Sequence, residues 1–239
     1  CMVAEMVISG KGQIRDTKFY RAVIHSKNRL IYDNVATFLS QKQAPELSDD
    51  VWAMLLQLQI VYEALKHARL NRGAIELDSI ETKVIFDKQL KIEKITPVVR
   101  NEAHRIIEEC MLAANVAVAS FIASSGIASM YRVHEAPDIE KMKSLQTFLG
   151  EFGIQCRFSE NVAPKRFQEV LDKVRMRPEK QVLETIMLRS LKQAHYAIEN
   201  SGHFGLGYEV YTHFTSPIRR YPDLMVHRIL GEILDRKQD

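Results

Sequence analysis

The chain of 239 residues carries three cysteines, Cys1, Cys110 and Cys156, and none stands in a C-x-x-C pair. An odd, scattered set of thiols argues against a disulfide framework or a structural zinc site and fits a reducing, cytoplasmic setting. Excess charge is also scarce: 33 Lys and Arg against 30 Asp and Glu leave +3, too little to establish a nucleic-acid partner. No uninterrupted apolar run approaches the roughly 18 residues of a membrane span and no signal-peptide pattern opens the chain, so no membrane partner is expected. Glycine is not spaced for a Walker or dinucleotide loop. Gly202-x-x-Gly205-x-Gly207 has the wrong spacing and reads as the approach to a strand. No D-x-D-D-like cluster occurs, so a carboxylate cage for Mg²⁺ is missing. His203, His213 and His227 are ten and fourteen residues apart on different expected elements, without a cysteine or acid at ligand spacing. No metal site is expected in these residues.

Hydrophobic residues make up 46% and charged residues 26%, values ordinary for a globular chain long enough to bury a substantial core. Met2, Ala4, Met6 and Ile8 alternate as a strand, Ser9 to Gly12 have turn chemistry, and Gln13 to His25 read as the returning strand. Tyr32 to Leu39 predict a short helix. Ser48 followed by Asp49 and Asp50 predicts a capped helix start, and Gly73 its stop. Residues 74 to 99 alternate as short strands. Asn101 to Ala123 is the most apolar helix and therefore the expected centre. Met130 to His134 predict a strand, and helices are expected at Ile139 to Phe152, Pro164 to Val174, Glu179 to Ala197 and Pro222 to Leu234. One α+β domain is the economical reading. The chain opens on what reads as a strand in progress and ends directly off a helix, which gives the expectation of a fragment of a larger protein.

The densest chemistry lies in Tyr211-Thr212-His213-Phe214-Thr215-Ser216-Pro217-Ile218-Arg219-Arg220-Tyr221-Pro222-Asp223-Leu224. A proline-stiffened turn running into a helix, with hydroxyls and two guanidinium forks, is suited to holding an anion. The plain alternative is an N-cap with solvated arginines. On the apolar helix, Asn101, Glu108 and Asn115 recur every seven residues and share a face, where they either satisfy neighbouring backbone groups or line a channel. Asp223, at the first turn of the last helix, reads as a complement to the helix dipole.

The fourteen-residue string resembles the signature of the ribonuclease R / ribonuclease II family of processive 3'-to-5' exoribonucleases, in its RNB catalytic domain. Gly202 to Gly207, His104 to Asn115, Cys1 to Ser9, Phe19 to Val35 and Leu188 to Ala194 also resemble family segments, closer to the ribonuclease R branch. The resemblance spans essentially the whole chain, which then reads as a partial RNB catalytic domain over residues 1–239. It implies an α+β fold, the C-terminal portion of such a domain, with helices packed around a small, mainly antiparallel sheet. It implies that Arg219 stabilises charge on the phosphate in the transition state, a role that can be worth about 10³–10⁵ in rate. Arg220 would contact phosphate or support the turn, with His213, Thr215 and Ser216 near the RNA. Tyr32 and Glu108 match a family pair around the terminal nucleotides, where a tyrosine stacks on any base and a carboxylate accepts a ribose or base hydrogen bond. The family also uses an aromatic near Leu77, where the match is loose.

Family members hold two Mg²⁺ ions through aspartates upstream of the segment that Cys1 resembles. The implied cofactor therefore has its ligands outside this chain, and the chain alone is expected to be inactive. The partner implied is the 3' end of single-stranded RNA, met by a monomer that releases nucleoside 5'-monophosphates. Two other readings stand beside this one: a non-catalytic RNA-binding module of the same fold, and an unrelated α+β enzyme whose S-P-I-R-R turn binds a phosphorylated small molecule. The intact Arg219 weighs against the first and the lack of any nucleotide glycine loop against the second.

Overall fold

A computed structural model describes residues 1–76, 82–97 and 100–236. Strands β1 (Met2–Ile8) and β2 (Ile14–Arg21) form an antiparallel hairpin, followed by helices α1 (Tyr32–Gln41) and α2 (Asp49–Arg72). A second hairpin, β3 (Thr82–Phe86) and β4 (Ile92–Pro97), precedes the long helix α3 (Glu102–Ser124). Then come β5 (Tyr131–Val133), α4 (Ile139–Glu151), α5 (Pro164–Arg175), α6 (Lys180–Ser190), β6 (His195–Ala197), a 3₁₀ turn at Phe204–Leu206, and α7 (Tyr221–Arg236). The sheet component is divided into three two-stranded antiparallel pairs, β1 with β2, β3 with β4 and β5 with β6.

Helix α3 is the spine. Asn101 caps it, its Oδ1 accepting the His104 N–H at 3.3 Å, and the run of alanines and β-branched residues behind it can pack closely on several neighbours. The N-terminal half buries Ala103 and Ile106 with Val35, Leu39, Leu55 and Tyr62 of α1 and α2. The C-terminal half buries Ala117, Val118 and Ile122 with Phe19 of β2 and Val226, Leu230 and Ile233 of α7. A third cluster, including Met142, Leu149, Phe167, Leu171, Leu183 and Met187, holds α4, α5 and α6 together. By length and composition α3 would also suffice to cross a membrane, with mean hydropathy 1.7 over its most apolar window, and here it runs between the first two clusters.

Three local expectations are corrected. The helix expected over Glu179 to Ala197 ends at Ser190, because Leu191 turns extended and His195 to Ala197 pair with β5 instead. No strand follows the glycine run: Phe204–Leu206 form a 3₁₀ turn and residues 209–220 are turn and coil. Ser48 does stand at the N-cap of α2, but its hydroxyl donates to Asp50 rather than accepting a backbone N–H. Gly73 ends α2 as expected, at φ 72°, and a Cβ there would lie 2.3 Å from Lys165 Cα, so the residue also admits the start of α5. Leu77 lies outside the described residues.

Candidate nucleic-acid site

The signature segment has no regular secondary structure before α7, so its backbone groups must find other partners. Asn115, buried in the middle of α3, holds one backbone group and one side chain of the segment. Its Nδ2 donates to the Tyr211 hydroxyl at 3.0 Å and its Oδ1 accepts the Phe214 N–H at 2.9 Å. Of the two expectations for this polar stripe, Asn115 thus fulfils the first, satisfying a neighbouring backbone. Thr212 Oγ1 donates to Met130 O at 2.6 Å, and Arg132 N–H donates to Tyr211 O at 2.9 Å. His227 Nε2 donates to Phe214 O at 2.8 Å while its ring stacks on Phe214 with centroids 4.4 Å apart.

The arginine turn is held from the other side. Asp223, 0% exposed, accepts the Ser216 N–H and the Arg220 guanidinium through the same oxygen, both at 2.8 Å. Ser216 O accepts the N–H groups of Arg219 and Arg220 at 3.3 and 3.0 Å. Arg220 therefore supports the turn. Asp223, read in the sequence as a dipole complement, is in addition the turn's internal anchor. Arg219 is exposed, and its side chain makes no hydrogen bond or ion pair among the described residues. The hydroxyls of Thr215 and Ser216 likewise have no protein partner among them.

His213 lies beside this turn. Its Nδ1 and the Tyr196 hydroxyl are 2.6 Å apart in a hydrogen bond, and Tyr196 in turn lies under the Arg132 guanidinium at 4.7 Å. Burial, then the nearby Arg220, pulls the His213 pKa down to about 4. His213 is thus neutral near pH 7 and available to a phosphate as an N–H group rather than as a cation. His203 behaves similarly: burial, then His134, lowers it to about 4. Burial pushes Tyr211 up to about 12, against the opposing effect of its Asn115 hydrogen bond.

A second group forms at the N-terminal half of α3. Tyr32, in the first turn of α1 and 44% exposed, stacks on His104 with centroids 4.0 Å apart and planes 20° apart. Glu108 stands one turn beyond His104 on the same face. Its carboxylate lies 3.6 Å from Arg69 and 3.6 Å from Arg100. The neighbouring Glu109 is buried and accepts from Arg69 Nη1 at 2.8 Å, so Arg69 links both acids. A cavity of about 370 Å³ opens here, lined by Tyr62, Arg69, Arg100, Arg105, Glu108 and Glu109 among others. Glu108 and Asn115 are seven residues apart, about 10 Å along the helix axis. One rigid helix therefore spaces the Tyr32–Glu108 group from the arginine turn.

Sequence reasoning missed His104, Arg69 and Tyr196. Each acquires its role from a partner remote in sequence, and no local signal marks it. The glycine run is structural: Gly207, at φ 64°, lies where a Cβ would come within 2.9 Å of Arg72, which stacks on Tyr208 at 3.8 Å and donates to Leu206 O at 2.8 Å. Among the described residues no group of three or more His, Cys, Asp or Glu side chains is arranged to hold a metal ion. The magnesium implied by the resemblance therefore has no fitting ligand set in them.

The chain belongs to the RNB domain family, whose model matches residues 1–236. Its relatives include ribonucleases R: it is 44% identical to ribonuclease R of Vibrio cholerae over 241 residues and 41% identical to that of Escherichia coli over 239. Both alignments cover 100% of this chain and 29% of the relative, so the chain spans under a third of their length. The fold superposes on RNase R of Mycoplasma genitalium in complex with ribose-methylated single-stranded RNA with TM-score 0.91 and 34% identity, covering 96% of this chain and 36% of that one.

Proposed function

We propose that this chain is part of the catalytic domain of a processive 3'-to-5' exoribonuclease that hydrolyses single-stranded RNA to nucleoside 5'-monophosphates. Arg219 stabilises the charge that gathers on the phosphate, and Tyr32 and Glu108 hold the terminal nucleotides. Thr215, Ser216 and the neutral His213 supply hydrogen bonds around the phosphates. Magnesium ions would activate the attacking water, and the carboxylates that hold them lie outside these residues, so the chain alone is inactive. In this reading the whole enzyme is a cytoplasmic monomer.

The observation that carries the reading is the contrast within the signature. Arg220, Tyr211, Thr212 and the backbone of Phe214 and Ser216 are all tied down, while the Arg219 fork has no partner among the described residues. A guanidinium held ready but unpaired is matched to charge that appears only during reaction. In the full-length enzyme, Arg219→Ala and Arg219→Lys should each lower the single-turnover cleavage rate at least about a hundredfold, roughly 2.7 kcal/mol. RNA affinity should change far less, because other phosphate contacts supply much of it. Weakened binding with intact single-turnover cleavage would instead make Arg219 a positioning contact. Cleavage absent from the full-length protein before any substitution would favour the non-catalytic RNA-binding module.

A further inference from the structure

The charged group buried most completely in this region is Asp223, which touches no solvent and has no assigned part in any RNA chemistry. Burying a carboxylate is costly unless its charge and lone pairs are met. A carboxylate serving only the dipole of α7 would be satisfied at the surface. Asp223 instead points back across the turn and binds its two ends, the Ser216 N–H and the Arg220 guanidinium, through Oδ1. Its Oδ2 and Arg220 Nε are buried without a hydrogen-bond partner among the described residues, so the pair is kept at a cost that packing alone does not explain. Between the tied residues stand Pro217, Ile218 and Arg219. Pro217 fixes its own φ, and the Ser216 carbonyl receives the N–H groups of Arg219 and Arg220. The restraints thus fall on the backbone of Arg219 and on the residues that flank it, and none among the described residues falls on its side chain, while Ile218 is fully exposed beside it.

We infer that Asp223, with Arg220 as its counter-ion, is a positioning residue that fixes the direction in which Arg219 projects. The inference rests on the reading of Arg219 as the transition-state arginine. It places the second arginine of the S-P-I-R-R motif inside the turn and not on the RNA. The positive charge offered to the scissile phosphate is then that of Arg219, because the charge of Arg220 is neutralised by Asp223 at 2.8 Å.

The test uses the full-length enzyme. Asp223→Asn keeps an oxygen to accept the Ser216 N–H but removes the charge that holds Arg220. Single-turnover cleavage should fall about tenfold to a hundredfold, the range expected when a reacting group is misplaced by about 1 Å. The dissociation constant for single-stranded RNA under non-cleaving conditions should move less than about threefold. In an Arg219→Ala background, Asp223→Asn should lower the rate no further, because the residue it positions has gone. Should Asp223→Asn fail to fold, Arg220→Lys carries the same test, since it retains the charge opposite Asp223 while losing the planar fork. Rates of the single and double variants that simply multiply would overturn the inference, as would an unchanged rate in a folded Asp223→Asn or Arg220→Lys protein. An Arg219→Ala enzyme with undiminished cleavage would sink the functional reading instead, which keeps the two failures apart.

Discussion

Tyr32 illustrates how much of a site one residue can reveal. Its ring lies on His104, which is itself fixed by a 2.7 Å hydrogen bond from Nδ1 to Asn101 Oδ1, so the stack has a rigid base. In the proposed reading, a ring held on one face and partly open to solvent leaves its other face for a base. Replacing Tyr32 with alanine in the full-length enzyme should weaken its hold on the terminal nucleotides about tenfold to a hundredfold, roughly 1–3 kcal/mol, and change the length of the final product. Binding to short oligonucleotides and the size of the limit product measure this. If neither moves, Tyr32 is a packing residue. Tyr32 and Glu108 were legible as candidates through their family match, but the support around them was not. Nothing near Arg69 in sequence announces that it joins Glu108 and Glu109 from 39 and 40 residues away.

At the level of elements, legibility followed locality. Helix α3 was foreseeable because its cap, its first-turn acid and its apolar run are contiguous. Helix α6 was extended too far because what ends it is the pairing of His195–Ala197 with Tyr131–Val133, a contact that no window of sequence contains. The glycine run before the signature failed in another way. It was read as the approach to a strand, whereas the chain after it is turn and coil, and Gly205 and Gly207 are there to admit the side chains of His134 and Arg72. Gly207 makes the point testable. Alanine at its φ of 64°, with a Cβ 2.9 Å from Arg72 Cγ, should destabilise the protein by about 1–3 kcal/mol. Denaturant unfolding of Gly207→Ala gives the value, and a change below about 0.5 kcal/mol would show that Arg72 moves aside freely.

For the whole molecule, the partly buried imidazoles set a dependence on pH. His203 and His213 have folded pKa values near 4, below the ordinary 6.5, so between these values the unfolded chain binds protons that the folded one does not. Stability from these groups is complete above pH 6.5 and is lost as pH falls toward 4. Discounting both groups for the solvent that reaches them, the loss should be on the order of a few kcal/mol. Thermal unfolding from pH 7.5 to 4.5 should show this decline, and His213→Gln should flatten it; an equal slope in both proteins would count against it. The clasp between Arg21 at the end of β2 and Asp235 near the end of α7 has a consequence for synthesis on the ribosome. Its partners are 214 residues apart, and Phe19 shares a core with Val226, Leu230 and Ile233. At about 5–20 residues per second, the first hairpin emerges about 10–40 s before α7, the last helix of the core it shares with α3. The α1–α2–α3 and α4–α5–α6 clusters can close during that interval. The hairpin can dock on α3 in the same interval through Phe19 and Phe121, but the side of that core closed by Val226, Leu230 and Ile233 stays open, so it is the part of the nascent chain that a chaperone would have to shield, and the arginine turn is set only when the last helix arrives.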